Sequence, residues 1–249
     1  MKINDNKKFW SKRVNLNYKN ICNNNHLLDK FESQNINKLI KKSKIFEIGC
    51  GAGSLIPYIN KKIINYTGID QVTEMIDICK KKFNDKKYNF FNENILSFDF
   101  SRQKKLYRYI ISKRVLQNLP NEKAQFKTID NLGKMLTANG RIIICESCKI
   151  ALKNINYYRC ILNLKKIKEP AYNKYINTRN LKKNNFNNVK LEKIIPFTNN
   201  YYFISRILNA FINKKTKIDD PLNLLALKIN NNLFSEDFSQ LKIYIFKKK

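Results

Sequence analysis

The stretch KIFEIGCGAGSL occupies residues 44–55. A short apolar run passes through Glu47 and then gives way to glycine at positions 49, 51 and 53. A dinucleotide fingerprint, G-x-G-x-x-G, would place its last glycine where Ser54 stands. A phosphate-cradling P-loop would continue into Gly-Lys-Ser or Gly-Lys-Thr, which is not present. What remains is E-x-G-x-G-x-G. Gly49 and Gly51 let the backbone turn sharply at the end of a strand and approach a ligand closely, and Gly53 lets the next helix pack close.

An acid before the turn, with no phosphate anchor after it, suits a cationic ligand. S-adenosylmethionine fits, because it carries an ammonium and a sulfonium and no phosphate. The next strand supplies a check: NYTGID ends in Asp70, 19 residues after Gly51. An acid at that distance, on the neighbouring strand end, accepts hydrogen bonds from both ribose hydroxyls of an adenosine.

Outward from this loop the chain alternates strands and helices. Strands are predicted at 44–49, 65–70, 88–95, 107–115 and 141–147. A helix is expected to begin in SLIPYINKK, with Pro57 in its first turn. Others are expected at 73–83, with Thr73 as N-cap, and at 121–136, where Phe126, Ile129, Leu132 and Leu136 share a face. This rhythm predicts an α/β fold, a doubly wound Rossmann-like sheet of seven strands. After residue 150 the pattern changes. Residues 151–185 read as helical or irregular, aromatic and basic; 189–197 returns as a strand; 201–212 and 220–231 read as helices. The alternating LKIYIFKK, 241–248, is predicted as an antiparallel last strand.

In this order the motifs resemble the class I S-adenosylmethionine-dependent methyltransferases. FEIGCGAG is similar to their first motif, YTGID to the acidic second, FNENIL to the third, YIISKRVLQNLP to the fourth, and LGKMLTANGRIIICES to the helix, turn and strand after it. The resemblance covers residues 40–150; beyond them the tail is more weakly similar to bacterial methyltransferases of surface-glycan gene clusters. It implies a single domain over 1–249, with an N-terminal helical segment (1–40), a cofactor-binding core (41–147) and substrate-side lid elements at 148–187 and 198–238.

Carried over by position, the resemblance implies that Glu47, Gly49, Gly51 and Gly53 cradle the methionine and ribose of S-adenosylmethionine. Asp70 would hold the ribose, with Gln71 and Val72 flanking the adenine. Asn94 stands where many members have an Asp, and Ile95 would cover the adenine face. Lys113 and Arg114 would close on methionine and substrate. Alternatives stay open: Asp70 as a helix cap, Asn94 as a turn residue, Arg114 as a solvated charge.

A hydroxyl acceptor needs a base nearby or a metal, whereas an amine needs only to lose a proton. His26, the single histidine, sits in a polar segment and reads as a surface residue. Glu146, at the end of the fifth strand, is the candidate base, the alternatives being a partner for a helix N-terminus or for a lid salt bridge. Candidate substrate residues are Tyr157, Tyr158, Arg159, Tyr172, Asn173, Tyr175, Tyr202 and Arg206. Tyr, Asn and Arg together stack on a ring and hydrogen-bond around it. The competing reading of each tyrosine is core packing.

Composition narrows the partners. The 249 residues carry 49 Lys+Arg against 19 Asp+Glu, a net charge of +30. That invites a polyanion such as RNA. However, eight arginines stand against 41 lysines, the lysines are scattered pairs, and phosphate readers lean on the arginine fork. About one residue in seven is Asn, so abundant Lys, Asn and Ile fit an AT-rich coding sequence. Six cysteines make no regular framework, and Cys145-x-x-Cys148 lacks a second pair, which argues against zinc. No metal is expected. The opening MKINDNKKFW has no signal-peptide core, and no apolar run approaches the ~20 residues of a membrane span. The expectation is a cytoplasmic methyltransferase with reduced thiols, acting on a small polar acceptor such as a sugar or nucleotide-linked sugar, by O- or N-methylation. An RNA methyltransferase and a non-catalytic binding protein on the same fold are the alternatives.

Overall fold

The computed structural model describes residues 3–16, 25–100, 103, 105–213, 217–229 and 233–249. Two helices, α1 (Ile3–Leu16) and α2 (His26–Leu39), precede the sheet. The core then runs β1 (Ser43–Ile48), α3 (Ile56–Ile59), β2 (Ile63–Asp70), α4 (Thr73–Lys82), β3 (Tyr88–Asn92), β4 (Tyr107–Lys113), α5 (Glu122–Leu132) and β5 (Leu136–Ser147). After it come α6 (Lys149–Ile161), α7 (Thr178–Lys183), β6 (Val189–Pro196), α8 (Asn199–Phe203), α9 (Asn209–Ile212), α10 (Pro221–Lys228) and β7 (Leu241–Lys248).

The seven strands lie in the order β3-β2-β1-β4-β5-β7-β6. β1 pairs in parallel with both β2 and β4, and β7 runs antiparallel to β5 and β6. The expected architecture, antiparallel last strand included, is therefore present. Strand order reverses between β1 and β4. A crevice outside the carboxyl ends of these strands is the ligand site that such a reversal creates.

Both faces of the central strands are covered, which is why they read as apolar runs. Phe46, Ile48, Ile110, Ile142 and Ile144 pack on one side with Ile129 and Leu132 of α5. Ile45, Ile111, Ile143 and Cys145 alternate to the other side, against Ile36 of α2, Ile56 and Ile59 of α3 and Ile76 of α4. Adjacent residues point to opposite faces, so each strand feeds both cores.

Boundaries differ from expectation in ways that have local causes. β3 stops at Asn92, because Glu93 N–H bonds Asp70 carbonyl and Leu96 N–H then bonds the Asn94 side chain in a turn. β5 begins at Leu136, ahead of the predicted 141. Thr73 is not the cap of α4: Val72 holds that position, and the Thr73 hydroxyl donates to Asn92 instead. The predicted helix over 201–212 starts at Asn199 and contains one π-helical turn, Ile204–Leu208. α10 ends at Lys228, and residues 230 and 231 of the predicted 220–231 helix lie outside the described residues. Cys22 lies outside them too. Among the described residues no helix is long and apolar enough to cross a membrane.

Candidate active site

β1 delivers the chain to a turn in which Gly49 and Gly51 have φ of 60° and 53°. This left-handed region costs an L-residue about 1–2 kcal/mol, which explains why glycine stands there. A Cβ on Gly49 would also sit 2.3 Å from a Val115 methyl. Beside the turn, β2 ends in Asp70. Its carboxylate accepts from Gly51 N–H at 3.0 Å and from Val72 N–H at 2.9 Å. One acid thus ties the glycine turn to the next strand end. Burial raises its pKa, although three backbone N–H groups, of Val72, Gly51 and Gln71, work the other way.

A cavity of about 520 Å³ opens along the carboxyl ends of β2, β1, β4 and β5. Gly49, Gly51, Asp70, Gln71, Val72, Asn94 and Ile95 line one end, with Glu47 at its floor. Glu47 is buried and accepts from the Tyr66 hydroxyl at 2.5 Å. Burial pushes its pKa up to about 7, against the pull of that hydroxyl and of Lys113. Asn94 already accepts from Leu96 N–H at 3.0 Å, leaving its amide N–H group and one lone pair.

Gly53 does not line this cavity. Its φ is 74°, and a Cβ there would lie 2.5 Å from the Phe83 ring, so this glycine lets the turn pack against the C-terminal end of α4. The structure therefore does not bring it to the cavity with Gly49 and Gly51.

Lys113 and Arg114 line the cavity, but their charges are spent elsewhere. The Lys113 ammonium donates to Asp29 (3.0 Å), Ser33 (3.2 Å) and Ser54 (2.9 Å). Burial opposes its charge, yet Asp29, Glu32 and Glu47 outweigh it and raise its pKa. Arg114, at φ 59°, grips fully buried Glu32 with two hydrogen bonds. These two pairs bolt α2 to the end of β4. Sequence reading missed Asp29 and Glu32. They stand three apart on one helix face, but their partners lie more than 80 residues away.

Glu146 is also relocated. It is completely buried and is not among the residues lining the cavity. Its oxygens accept from the backbone N–H groups of Val115 (2.7 Å), Leu116 (2.7 Å) and Gln117 (3.3 Å). Burial pushes its pKa up to about 8 despite these donors. The reason is geometric: β5 pairs with β4, so its last acid meets the turn that leaves β4. It is an anchor for residues 115–117, and its assignment as a base is corrected.

Of the substrate residues, Tyr172, Asn173, Tyr175, Tyr202 and Arg206 line the far end of the cavity, together with Gln117, Lys168, Lys174 and Gln240. Asn173 and Gln117 are buried, each with a side-chain oxygen that has no donor among the described residues. Tyr157, Tyr158 and Arg159 do not line it. They sit at the end of α6: Tyr157 is exposed, Tyr158 packs on Phe238, and the Arg159 guanidinium donates to the carbonyls of Lys165 and Arg206. His26 is exposed at the start of α2, as expected.

Trp10 and Arg13 of α1 also border the cavity. Trp10 packs on Val72 and Met75, Ser11 hydrogen-bonds Glu74, and Phe9 stacks on Tyr172 at 4.4 Å. The aromatic and apolar residues of α1 were the signal available, though their target was not.

Residues 46–142 match the methyltransferase domain family. A ribosomal RNA small subunit methyltransferase A from Mesomycoplasma hyopneumoniae (strain 232) is 32% identical over 98 residues. The match spans 38% of this chain and only 35% of that protein. Among solved structures, the methyltransferase CcbJ from Streptomyces caelestis superposes with a TM-score of 0.58 at 10% identity, covering 88% of this chain and 89% of that one. The plantazolicin methyltransferase BpumL, solved with S-adenosylhomocysteine, gives 0.54 at 18% identity over 98% and 90%. A TehB-like S-adenosylmethionine-dependent methyltransferase from Corynebacterium glutamicum gives 0.53 at 16% over 88% of each. Glycine turn, strand-end acid and sheet order accord with the match of residues 46–142 to a methyltransferase domain, and the chain shares the fold of these solved methyltransferases.

Proposed function

We propose that this protein transfers a methyl group from S-adenosylmethionine to a small polar acceptor, and that the acceptor atom is a nitrogen. The observation that carries the reading is a single cavity, with glycine turn and Asp70 at one end and a polar, aromatic wall at the other. Its volume of about 520 Å³ is in the range of small-molecule sites.

The lining fits the cofactor. Each Asp70 oxygen that takes a backbone N–H keeps a lone pair for a ribose hydroxyl. Val72 and Ile95 offer apolar walls for the adenine, and Glu47 offers an acid for the ammonium. When bound, S-adenosylmethionine would supply an electrophilic methyl on a sulfonium, with the neutral thioether of S-adenosylhomocysteine as its leaving group. The chain's residues then have three tasks: to orient the acceptor, to exclude water and to spare its lone pair.

Nitrogen is favoured because no described acid lines the far end of the cavity, where a hydroxyl would need its base. Glu146 is occupied by backbone N–H groups, and Asp29 is paired with Lys113. Tyr202 and Tyr175 have pKa values raised by burial, so they stay neutral and serve as hydrogen-bonding groups. An amine attacks through its own lone pair and loses a proton afterwards. Its N–H groups would supply the donors that Gln117 and Asn173 lack.

A second reading, RNA methylation, is favoured by the net charge of +30 and by the ribosomal RNA relative. The test is a transfer assay with radiolabelled methyl donor, offered amine-bearing small molecules, their hydroxyl counterparts and bulk RNA. Label in an amine is the expected result. Label in hydroxyl compounds alone removes the nitrogen assignment, and label in RNA alone removes the small acceptor.

A further inference from the structure

The cavity is electrically divided. Its acids are Glu47, Asp70 and Glu93 on the β1–β3 side, with Asp29 paired to Lys113 in the middle. On the far side the charged lining residues are Arg206, Lys168 and Lys174, and no described acid lines that side. The neighbouring Glu169 accepts the Tyr175 backbone N–H at 2.5 Å.

Arg206 stands out for two reasons. First, its guanidinium has neither an ion pair nor a hydrogen bond among the described residues, unlike Arg114 on Glu32 and Arg141 on Glu192. Second, the protein uses arginine sparingly, eight against 41 lysines. Yet three arginines, Arg13, Arg114 and Arg206, border this one cavity, as do three lysines. A chain that elsewhere takes lysine for a surface cation places guanidinium here, and guanidinium differs from ammonium in gripping a planar or tetrahedral oxyanion with two parallel bonds.

The surroundings hold Arg206 in place. It lies in the π-helical turn Ile204–Leu208, four residues after Tyr202, and both residues reach the cavity. Single π turns recur at functional sites. Its carbonyl is clamped by the Arg159 guanidinium, which also holds the Lys165 carbonyl. Two guanidinium groups thus stand close together. Burial and the proximity of Arg206 both lower the Arg159 pKa.

We propose that Arg206 binds an anionic group of the methyl acceptor, a carboxylate or a phosphate ester, with Lys174 as a second cation lining the same cavity; this rests on the methyltransferase reading above. The acceptor is then a small acid with an amine, bound with its negative end away from the sulfonium.

Equilibrium dialysis at fixed ionic strength tests this, with full-length protein saturated with S-adenosylhomocysteine. Radiolabelled inorganic phosphate and succinate are the probes. Saturable binding of at least one is expected, and the tighter of the two tells phosphate from carboxylate. Arg206→Gln should weaken it tenfold or more, Arg206→Lys by less, and Lys174→Gln by several-fold, while Lys80→Gln on distant α4 leaves it unchanged. Thermal melting checks that each variant is folded; should Arg206→Gln not fold, Arg206→Lys and Lys174→Gln decide. Non-saturable binding to wild type, binding within twofold of wild type in the deciding variants, or an equal loss in Lys80→Gln overturns the proposal. Failure of wild type to bind S-adenosylhomocysteine would instead overturn the methyltransferase reading.

Discussion

Glu47 and Asp70 are both acids at strand ends, and the fold treats them differently. Asp70 is wired to backbone N–H groups and keeps lone pairs free, whereas Glu47 lies buried beneath Tyr66 with its pKa pushed up to about 7. Asp70→Ala should weaken S-adenosylhomocysteine binding by ~1–3 kcal/mol, the worth of charge-assisted hydrogen bonds; calorimetry showing an unchanged Kd would remove the ribose assignment. For Glu47 the sign comes from linkage. A cationic ligand prefers the charged acid, so binding below pH 7 must release a proton, and affinity rises with pH until about 7. At pH 6 the loss is about tenfold relative to the plateau. A fall sets in again only at more alkaline pH, as the ligand's own α-amino group deprotonates. Glu47→Gln should flatten the rising limb, and a wild-type profile already flat from pH 6 to 7.5 would contradict this role. Glu146→Gln replaces one acceptor oxygen with a donor facing backbone N–H groups. Its cost should be about 1–3 kcal/mol of stability, seen as a melting temperature lower by several degrees. A base would behave otherwise: unchanged melting, lost turnover.

At the scale of elements, the glycine turn gives a contrast between neighbours. Gly51 borders the cavity and Gly53 faces Phe83, though both have positive φ. Gly53→Ala should lower stability through the clash with Phe83 and leave cofactor affinity in the folded fraction nearly intact. Gly51→Ala should cost about 1–2 kcal/mol of stability for its φ and in addition weaken the cofactor. Equal affinity loss in the two variants would contradict the distinction. This contrast also shows what could be read from residues alone. E-x-G-x-G-x-G announces a turn without side chains, and Asp70 at a strand end announces its partner, because both signals are local. That Gly53 packs rather than binds depends on Phe83, 30 residues on. Glu146 looked like a base because strand-end acids border the crevice; the turn it anchors begins 31 residues earlier. Tyr157, Tyr158 and Arg159 were misplaced for another reason. Composition marks a segment as aromatic and basic, but no residue of α6 lines the cavity, and its last turn faces Phe238 and solvent.

For the whole molecule, the sheet does the positioning. The order β3-β2-β1-β4-β5-β7-β6 sets the strand ends in a row, from Asp70 through the glycine turn and Lys113 to Ser147 and, at the start of β7, Gln240. In the proposed reading adenosine, sulfonium and acceptor would lie along that row. Helices α1 and α2 then close it: α2 through the buried Lys113–Asp29 and Arg114–Glu32 pairs, α1 through Trp10 against Val72 and Phe9 against Tyr172. The net charge of +30 is a property of the whole surface, and the fold does not need it. It should make retention on RNA steeply salt-dependent while leaving cofactor binding, which uses buried groups, nearly insensitive to salt. The most direct measurement is a crystal structure of the protein with S-adenosylhomocysteine. The account predicts the ribose hydroxyls within hydrogen-bond distance of Asp70 and the amino acid moiety over the Gly49–Gly51 turn towards Glu47. An adenosine bound elsewhere, or that crevice filled by the protein's own side chains, would contradict it.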